Sequence, residues 1–261
     1  MDKVLKMLDP MAMFWKENKV VTIAKSKKFR DRHGQVLLEG RRLLTDALES
    51  GAVLQTLFFS RVDYLKLFPP DKLRKANLIK VNFDNIKIWS DVVAPQGLMV
   101  ICEAGNKRIF AKPDHEKSLI CDNIRDPGNL GTILRCAAGA GCNKVLLTKG
   151  CVDAWEPKVL RAGMGAHFRL PVISSLDWDI VPNYLSAGLE VQSYFESWAQ
   201  SPCAIVIGGE THGLSIESLL LAEKSNGKRL YIPVVPDIDS LNSAMAASIL
   251  LFEGKRQIEN T

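Results

Sequence analysis

Hydrophobic positions along this chain fall into two alternating series of short apolar runs and helical stripes. In the first, Leu43, Leu44, Ala47 and Leu48 recur at helical spacing and stop at Ser50-Gly51, a helix-ending pair. Val53-Leu54 with Thr56 to Phe59 then reads as a strand, Asp71 to Ala76 as a short helix, Leu78 to Phe83 as a strand and Gly97 to Cys102 as the last strand. The polar stretch Gly105 to Lys117 reads as a linker. Beyond it come a strand at Leu119 to Cys121, a helix rich in small residues at Leu130 to Ala140, and a strand at Lys144 to Leu147. A helical stretch at Pro157 to Ala162 and a strand at Phe168 to Val172 follow, then weakly patterned chain over Trp178 to Ser201 and a buried strand at Ala204 to Ile207. Such alternation predicts an α/β protein with a parallel sheet covered by helices. The divisions expected are an arm over 1–20, an α/β domain over 21–105, a linker over 106–117 and a second domain over 118–261.

The second series ends on Leu230 to Phe252, LYIPVVPDIDSLNSAMAASILLF. A short apolar run bends through Pro233, Pro236 and two Asp residues, then enters a helix of small apolar residues from Ala244. Ser240 or Asn242 suits the cap of that helix, since a short polar side chain accepts the orphan N–H groups of a first turn. Taken alone, the stretch fits a buried C-terminal helix with an ordinary cap.

Composition narrows the class. Nearly half of the 261 residues are hydrophobic, enough for an ample core. No apolar run approaches the roughly 20 residues a membrane span requires. A net charge of +5 is compatible with a nucleic-acid partner without arguing for one. Basic residues concentrate early, at Lys25, Lys27, Lys28, Arg30, Arg32, Arg41 and Arg42, a face open to solvation or to phosphate contact. The six cysteines form no C-x-x-C pair and the four histidines are scattered, so no metal spacing is present. Cysteines inside apolar runs read as buried small hydrophobes of a reducing setting. No apolar segment follows a basic start, and Asp2, Asp9 and Glu17 precede the first arginine, Arg30; targeting signals alone leave the chain in the cytosol.

Two further stretches carry chemistry. Asp122 to Gly141, DNIRDPGNLGTILRCAAGAG, leaves the carboxyl end of a strand and runs into a helix, with Asn129 and Arg135 six residues apart. Ile205 to Ser215, IVIGGETHGLS, is a buried strand, the glycines Gly208 and Gly209, the carboxylate Glu210, then Gly213 before a helix. Paired glycines let backbone approach a ligand closely and take positive φ. Each stretch alone also fits a tight turn with a solvated or ion-paired side chain. Neither the dinucleotide nor the phosphate-loop fingerprint is present.

Taken together, the three stretches resemble the signature motifs of the SpoU branch of the SPOUT RNA methyltransferases. Asn129 and Arg135 match its first motif, the Gly208 to Gly213 turn its second, and Ile232-Pro233 with Ser240-Leu241-Asn242 its third. Asp153 to Ala166 is similar to the family's intervening Arg-Ala-Ser-x-Gly-Ala element, with Gly163 where serine is commoner. The basic α/β unit, with Leu38-Glu39-Gly40 and Pro95-Gln96-Gly97, resembles the ribosomal-protein L30e-like domain that binds substrate in many members. Several stretches resemble the branch acting on guanosine of vertebrate mitochondrial large-subunit rRNA. Against that branch the chain is short near Gly105 and around Trp178 to Ser197.

The resemblance implies a C-terminal domain with a deep trefoil knot, which no periodicity would reveal. It implies S-adenosylmethionine as cofactor, held at Gly208, Gly209, Ile232 and Leu241, and transfer of its methyl to a ribose 2′-hydroxyl. Arg135, Asn129, Glu210, Ser240 and Asn242 are the implied catalytic set; rRNA falls to Lys25, Lys27, Lys28, Arg30, Arg41 and Arg42. No metal or membrane is required, a homodimer is typical, with the C-terminal helix Ala244 to Phe252 fitting either its seam or burial within one subunit, and the mitochondrial matrix replaces the cytosol as address. The alternative is a catalytically silent RNA-binding or assembly factor on the same fold.

Overall fold

The computed structural model describes residues 19–103, 117–185, 203–227, 229–237 and 240–259. The expected arm (1–20) and linker (106–117) lie almost wholly outside them, as does most of the weakly patterned stretch before the strand at Ala204 to Ile207. Contacts divide the chain into two compact units, Met1–Gly105 with Trp155–Phe168, and Asn106–Ala154 with Arg169–Thr261.

In the first unit, helical residues 19–25 lead to α1 (Lys27–His33), β1 (Gln35–Glu39), α2 (Arg41–Glu49) and β2 (Leu54–Phe59). A 3-10 turn over Val62–Leu67, α3 (Pro70–Arg74), β3 (Asn77–Lys80), α4 (Phe83–Trp89) and β4 (Leu98–Glu103) complete it. The strands form one sheet in the order β1-β4-β2-β3, antiparallel except between β2 and β3. Both faces are covered. Val36, Leu38, Leu57, Phe59 and Val100 pack with α2 on one side, whereas Leu37, Phe58, Met99 and Ile101 pack with Val20, Ile23, Ile86 and Trp89 on the other. Sheets buried on two faces need apolar residues at every strand position, which is why these strands read as unbroken runs.

Three expectations change here. β1 has no counterpart in the sequence reading, because its QVLLE run is short and follows a strongly basic helix. The strand expected over Leu78 to Phe83 ends at Lys80, and Phe83 instead opens α4, whose Ile86 and Trp89 supply the covering face. Arg30, offered as an RNA contact, is 4% exposed, and its Nη1 donates to the carbonyls of Ile23 at 2.6 Å and Ala24 at 2.8 Å. It closes the helix over 19–25 rather than facing solvent.

Trp155–Phe168, inside the span expected to form the second domain, groups with the first unit. Its helix, α5 (Pro157–Gly163), buries Leu160 in the β-sheet core, and Phe168 joins the same cluster with Trp155 edge-on at 5.9 Å. Arg161 forks onto Asp91 at 2.7 and 2.8 Å. Nearby, Glu39 is buried with Ser90 Oγ donating to it at 2.6 Å, and burial raises its carboxyl above the ordinary range.

The second unit contains β5 (Lys117–Asp122), α6 (Pro127–Ala140), β6 (Lys144–Thr148), β7 (Val172–Leu176), β8 (Cys203–Gly208), α7 (Ile216–Lys224) and α8 (Ser243–Glu259). Its sheet is parallel throughout, in the order β7-β6-β5-β8. The strand expected over Phe168 to Val172 lies later, at β7; Ala166–Phe168 form a 3-10 turn that belongs to the first unit, with Phe168 in that unit's core. Cys102, Cys121, Cys142 and Cys203 are buried, and burial pushes the Cys142 thiol up to about 12, as suits inert core residues. No described helix is long and apolar enough to cross a membrane.

Leu160→Ala leaves a cavity in the first unit's core. It should cost about 2–5 kcal/mol of stability, measured as a lower urea midpoint with an unchanged slope; an unshifted midpoint removes Trp155–Phe168 from that core.

Candidate active site

From β5 the chain steps outward through β6 and β7, then returns to place β8 on the other side of β5. The carboxyl ends of β5 and β8 therefore flank the point where the strand order reverses, the crevice where open α/β sheets bind ligands. Asp122 at the end of β5 stands in register with Gly208 at the end of β8, so the first two motifs are neighbours by sheet pairing.

Each motif leaves its strand by a short polar route. After β5, Asp126 caps α6, its Oδ1 accepting from Asn129 N at 2.7 Å, and Pro127 takes the first helical position. That places Asn129 in the first turn, its side chain over the sheet end. After β8, Gly208 and Gly209 carry the chain into the turn that ends at Gly213. The reason for these two glycines is proximity, not positive φ, which only Gly213 of the three adopts, at 64°. A Cβ on Gly208 would stand 2.4 Å from the carbonyl of Gly213, and one on Gly209 2.6 Å from Asn123 O. Asp122, 2% exposed, ties the turn down by accepting from Ser215 N at 2.7 Å.

The third motif arrives at the start of α8. Asn242, not Ser240, caps this helix, accepting from Ala244 N at 3.0 Å and Met245 N at 3.2 Å. Its Nδ2 donates to Asn129 Oδ1 at 2.9 Å and to Glu210 Oε1 at 2.5 Å. Glu210 Oε1 also accepts from Asn129 Nδ2 at 2.8 Å and from the main-chain N of Ser243 at 3.3 Å. Three motifs separated by up to 113 positions thus share one hydrogen-bonded cluster. Beside it lies a polar cleft of about 150 Å³ lined by Asn123, Ile124, Arg125, Asp126, Asn129, Gly209, Glu210, Thr211, His212 and Ser243.

Of the expected catalytic set, Asn129, Glu210 and Asn242 meet; Ser240 and Arg135 do not. Ser240 is exposed two residues before the cap. Arg135 lies about 9 Å further along α6 by helix rise, is exposed, and makes no hydrogen bond or ion pair among the described residues. The structural ion pair open to it from sequence is therefore absent among them. Ser243 and Arg125 were missed. The Asp126-Pro127 pair, a helix-start signature, marked the turn that carries Arg125, whereas nothing in the sequence distinguishes a main-chain donor such as Ser243 N.

The residues expected to hold cofactor are divided. Gly208 and Gly209 belong to the turn beside the cluster, and Ile232 and Leu241 are half-buried in the third motif. Residues 229–237 form no helix or strand, and none of their backbone groups pairs with another backbone group among the described residues. Tyr231 and Val235 are 68% and 69% exposed. Amides without a backbone partner among the described residues, beside half-buried aliphatic and exposed apolar side chains, fit a flat heteroaromatic ligand held through backbone atoms. A separate apolar cavity of about 400 Å³, lined by Ile120, Val206, Leu214, Leu221, Leu230 and Leu250 among others, includes none of those four residues. Of the basic set, Lys25, Lys28, Arg41 and Arg42 are exposed, and Lys27 pairs with Asp31 at 2.7 Å on the surface. Arg41 N donates to Gln96 Oε1 at 2.8 Å, so the Pro95-Gln96-Gly97 loop caps α2, the helix led by these arginines.

The chain matches the family model described as the SpoU rRNA Methylase family over residues 116–252, and that of an MRM3-like substrate binding domain over 19–100. A protein named rRNA methyltransferase 3, mitochondrial, from Xenopus tropicalis is 73% identical over 319 residues, covering 94% of this chain and 75% of that one. Its human namesake is 53% identical over 308 residues, covering 92% and 71%. Both matches run longer than this chain of 261 residues, so these relatives carry internal stretches that it lacks. Among solved structures, an AdoMet-bound rRNA methyltransferase from Sinorhizobium meliloti is similar with a TM-score of 0.77 at 27% identity, covering 97% of each chain.

Asn242→Ala removes the α8 cap and two cluster bonds at once. It should lower stability by about 1–2 kcal/mol, and Asn242→Asp, which keeps the cap acceptor but sets a carboxylate against Glu210, should be no better. Chemical denaturation of the two variants checks this; an Asn242→Asp protein as stable as the parent would discount the Asn242–Glu210 contact.

Proposed function

The chain belongs to the SpoU rRNA methylase family, and we propose that it transfers a methyl group from S-adenosylmethionine to a ribose 2′-hydroxyl, probed most directly on guanosine, in mitochondrial large-subunit rRNA. The observation that carries this reading is the cluster of Asn129, Glu210 and Asn242 at the switch point of a parallel sheet. The site of action is the mitochondrial matrix, in keeping with the names of the vertebrate relatives.

Bound S-adenosylmethionine supplies an electrophilic methyl on a sulfonium. The chain's part is to hold and orient. Gly208 and Gly209 offer close backbone, and Ile232 and Leu241 the apolar walls, in a domain whose third motif threads a trefoil knot. Glu210 fixes Asn129 and Asn242 by accepting from both; Asn242 is fully engaged by the cluster and the α8 cap, while Asn129 keeps one amide hydrogen and one oxygen lone pair to orient the ribose. The 2′-hydroxyl must shed its proton, here to solvent, as its oxygen takes the methyl and leaves the cofactor as its neutral thioether. Arg135 is effectively always protonated, so its role is to stabilise negative charge on that oxygen rather than to accept the proton.

The α6–α8 face suits a homodimer. Cys136 Sγ and Ser248 Oγ stand 3.0 Å apart between the helices, and Met245 and Phe252, seven residues apart on α8, are 56% and 46% exposed. Arg135 precedes Gly139, which meets the Phe252 ring, by one turn, and a second copy packed there would enclose it. In the first unit Lys25, Lys27, Lys28, Arg41 and Arg42 would take rRNA phosphates, with affinity falling steeply as salt rises. A catalytically silent RNA-binding factor remains the second reading, favoured by Arg135 and Ser240 lying outside the cluster.

Arg135→Ala should leave calorimetric binding of S-adenosylmethionine within about twofold while lowering labelled methyl transfer to the rRNA roughly 10²- to 10³-fold. Equal transfer by the variant removes Arg135 from the chemistry. Cofactor and RNA binding by the parent without any transfer selects the silent factor.

A further inference from the structure

The polar cleft contains a guanidinium that the reading above does not use. Arg125 lines it together with Asn129, Glu210 and His212. Its foundation is fixed at several points. Asn123, just after β5, adopts the left-handed region at φ 58°, uncommon for a residue other than glycine and frequent at functional turns. Its main-chain N donates to Thr148 Oγ1 at 3.2 Å, and its carbonyl lies against Gly209. Its side-chain Oδ1 accepts from Arg125 Nε at 3.0 Å. Gly150 makes room for that amide, since a Cβ there would stand 2.6 Å from Asn123 Oδ1.

With Nε engaged, the two terminal nitrogens of Arg125 bond to no carboxylate among the described residues. The acidic neighbours each have one oxygen engaged elsewhere. Asp126 Oδ1 accepts from Asn129 N, and Glu210 Oε1 from Asn129, Asn242 and Ser243. His212, exposed on the loop from β8, adds a second nitrogen-bearing side chain to the cleft wall. A planar fork held at one nitrogen, with its outer edge open, suits two oxygens of a phosphodiester and loses less freedom on binding than an unheld side chain. A solvated arginine merely offsetting Asp126 would need neither the Asn123 brace nor the cleared space at Gly150.

We propose that Arg125, aimed by Asn123, binds a backbone phosphate of the RNA strand beside the target ribose, with His212 as an accessory donor. The identity of the ligand rests on the methyltransferase reading. Arg125 is then the contacting residue and Asn123 a positioning residue that acts through it.

The test measures affinity for a mitochondrial large-subunit rRNA transcript across a salt series, with the intact chain and its variants. Arg125→Ala should weaken binding about tenfold at low salt and reduce the slope of log affinity against log salt by about one, with cofactor affinity unchanged. Arg125→Lys should keep the slope and lose part of the affinity. Asn123→Gly, which keeps the left-handed backbone and removes only the amide, should weaken binding about threefold alone and add nothing in the Arg125→Ala background. Unaltered affinity and slope for Arg125→Ala overturn the proposal, as does the absence of RNA binding by the parent. An Asn123→Gly loss of equal size in both backgrounds overturns the positioning role. Methyl transfer by the parent is recorded alongside: its absence counts against the methyltransferase reading, while the affinity comparison still decides the phosphate contact.

Discussion

One carboxylate oxygen holds three distant stretches of chain at a common point. Glu210 Oε1 accepts from Asn129, Asn242 and the main-chain N of Ser243, and so joins the ends of β5 and β8 to the start of α8. Hydrogen bonds to an ionised group are about twice as strong as neutral ones, and removing the acceptor would take the shared partner from three donors at once. The arrangement tolerates little bulk beneath it. Glu210 reaches its place only because Gly209 presses onto the carbonyl of Asn123 and Gly208 onto that of Gly213, where side chains would collide. The glycines, the carboxylate and the two amides are therefore a single requirement.

Much of this was legible in the sequence, for reasons that differ by element. The parallel sheet showed because fully buried strands carry unbroken apolar runs, and the motifs showed only when taken together, through their resemblance to the family's signature, since each alone also fits a tight turn. β1 and α4 escaped because they are short, of 5 and 7 residues, and their partners lie far along the chain. Arg30 was misjudged since a charge run looks alike whether its members face water or cap a helix; only the 2.6 Å contact with Ile23 O separates the two. The choice between Ser240 and Asn242 as cap was a matter of where one helical turn begins, and neither composition nor periodicity carries that information.

Domain bounds drawn along a sequence assume that neighbours in the chain belong together. Leu160 and Phe168 show the limit of that assumption: both fall within the span matching the methylase family, and both are buried in the core of the first unit. The segment's own pattern, a proline-started helix followed by Gly165 at φ 81°, says that it turns sharply but not which core it enters. At Gly165 a Cβ would stand 2.9 Å from that of Asp46, so the glycine is explained by a helix more than a hundred residues away.

Along α6 the site divides its labour by helix geometry. The first turn is locked, with Asp126 capping it and Asn129 bound into the cluster. Before that turn stands Arg125, braced at one nitrogen, and beyond it Arg135, exposed and unbraced among the described residues. Within the 14 residues of α6 the separation of Asn129 from Arg135 is constant, while Arg125 stands just before the helix. On the proposed reading the two guanidiniums take different tasks: the braced one would hold a fixed anion that recurs along a polymer, and the unbraced one would meet charge that develops after the substrate has been positioned. A single cationic patch would bind RNA equally well in many registers, whereas a braced cation and a second one on either side of an amide cluster would admit the strand in few.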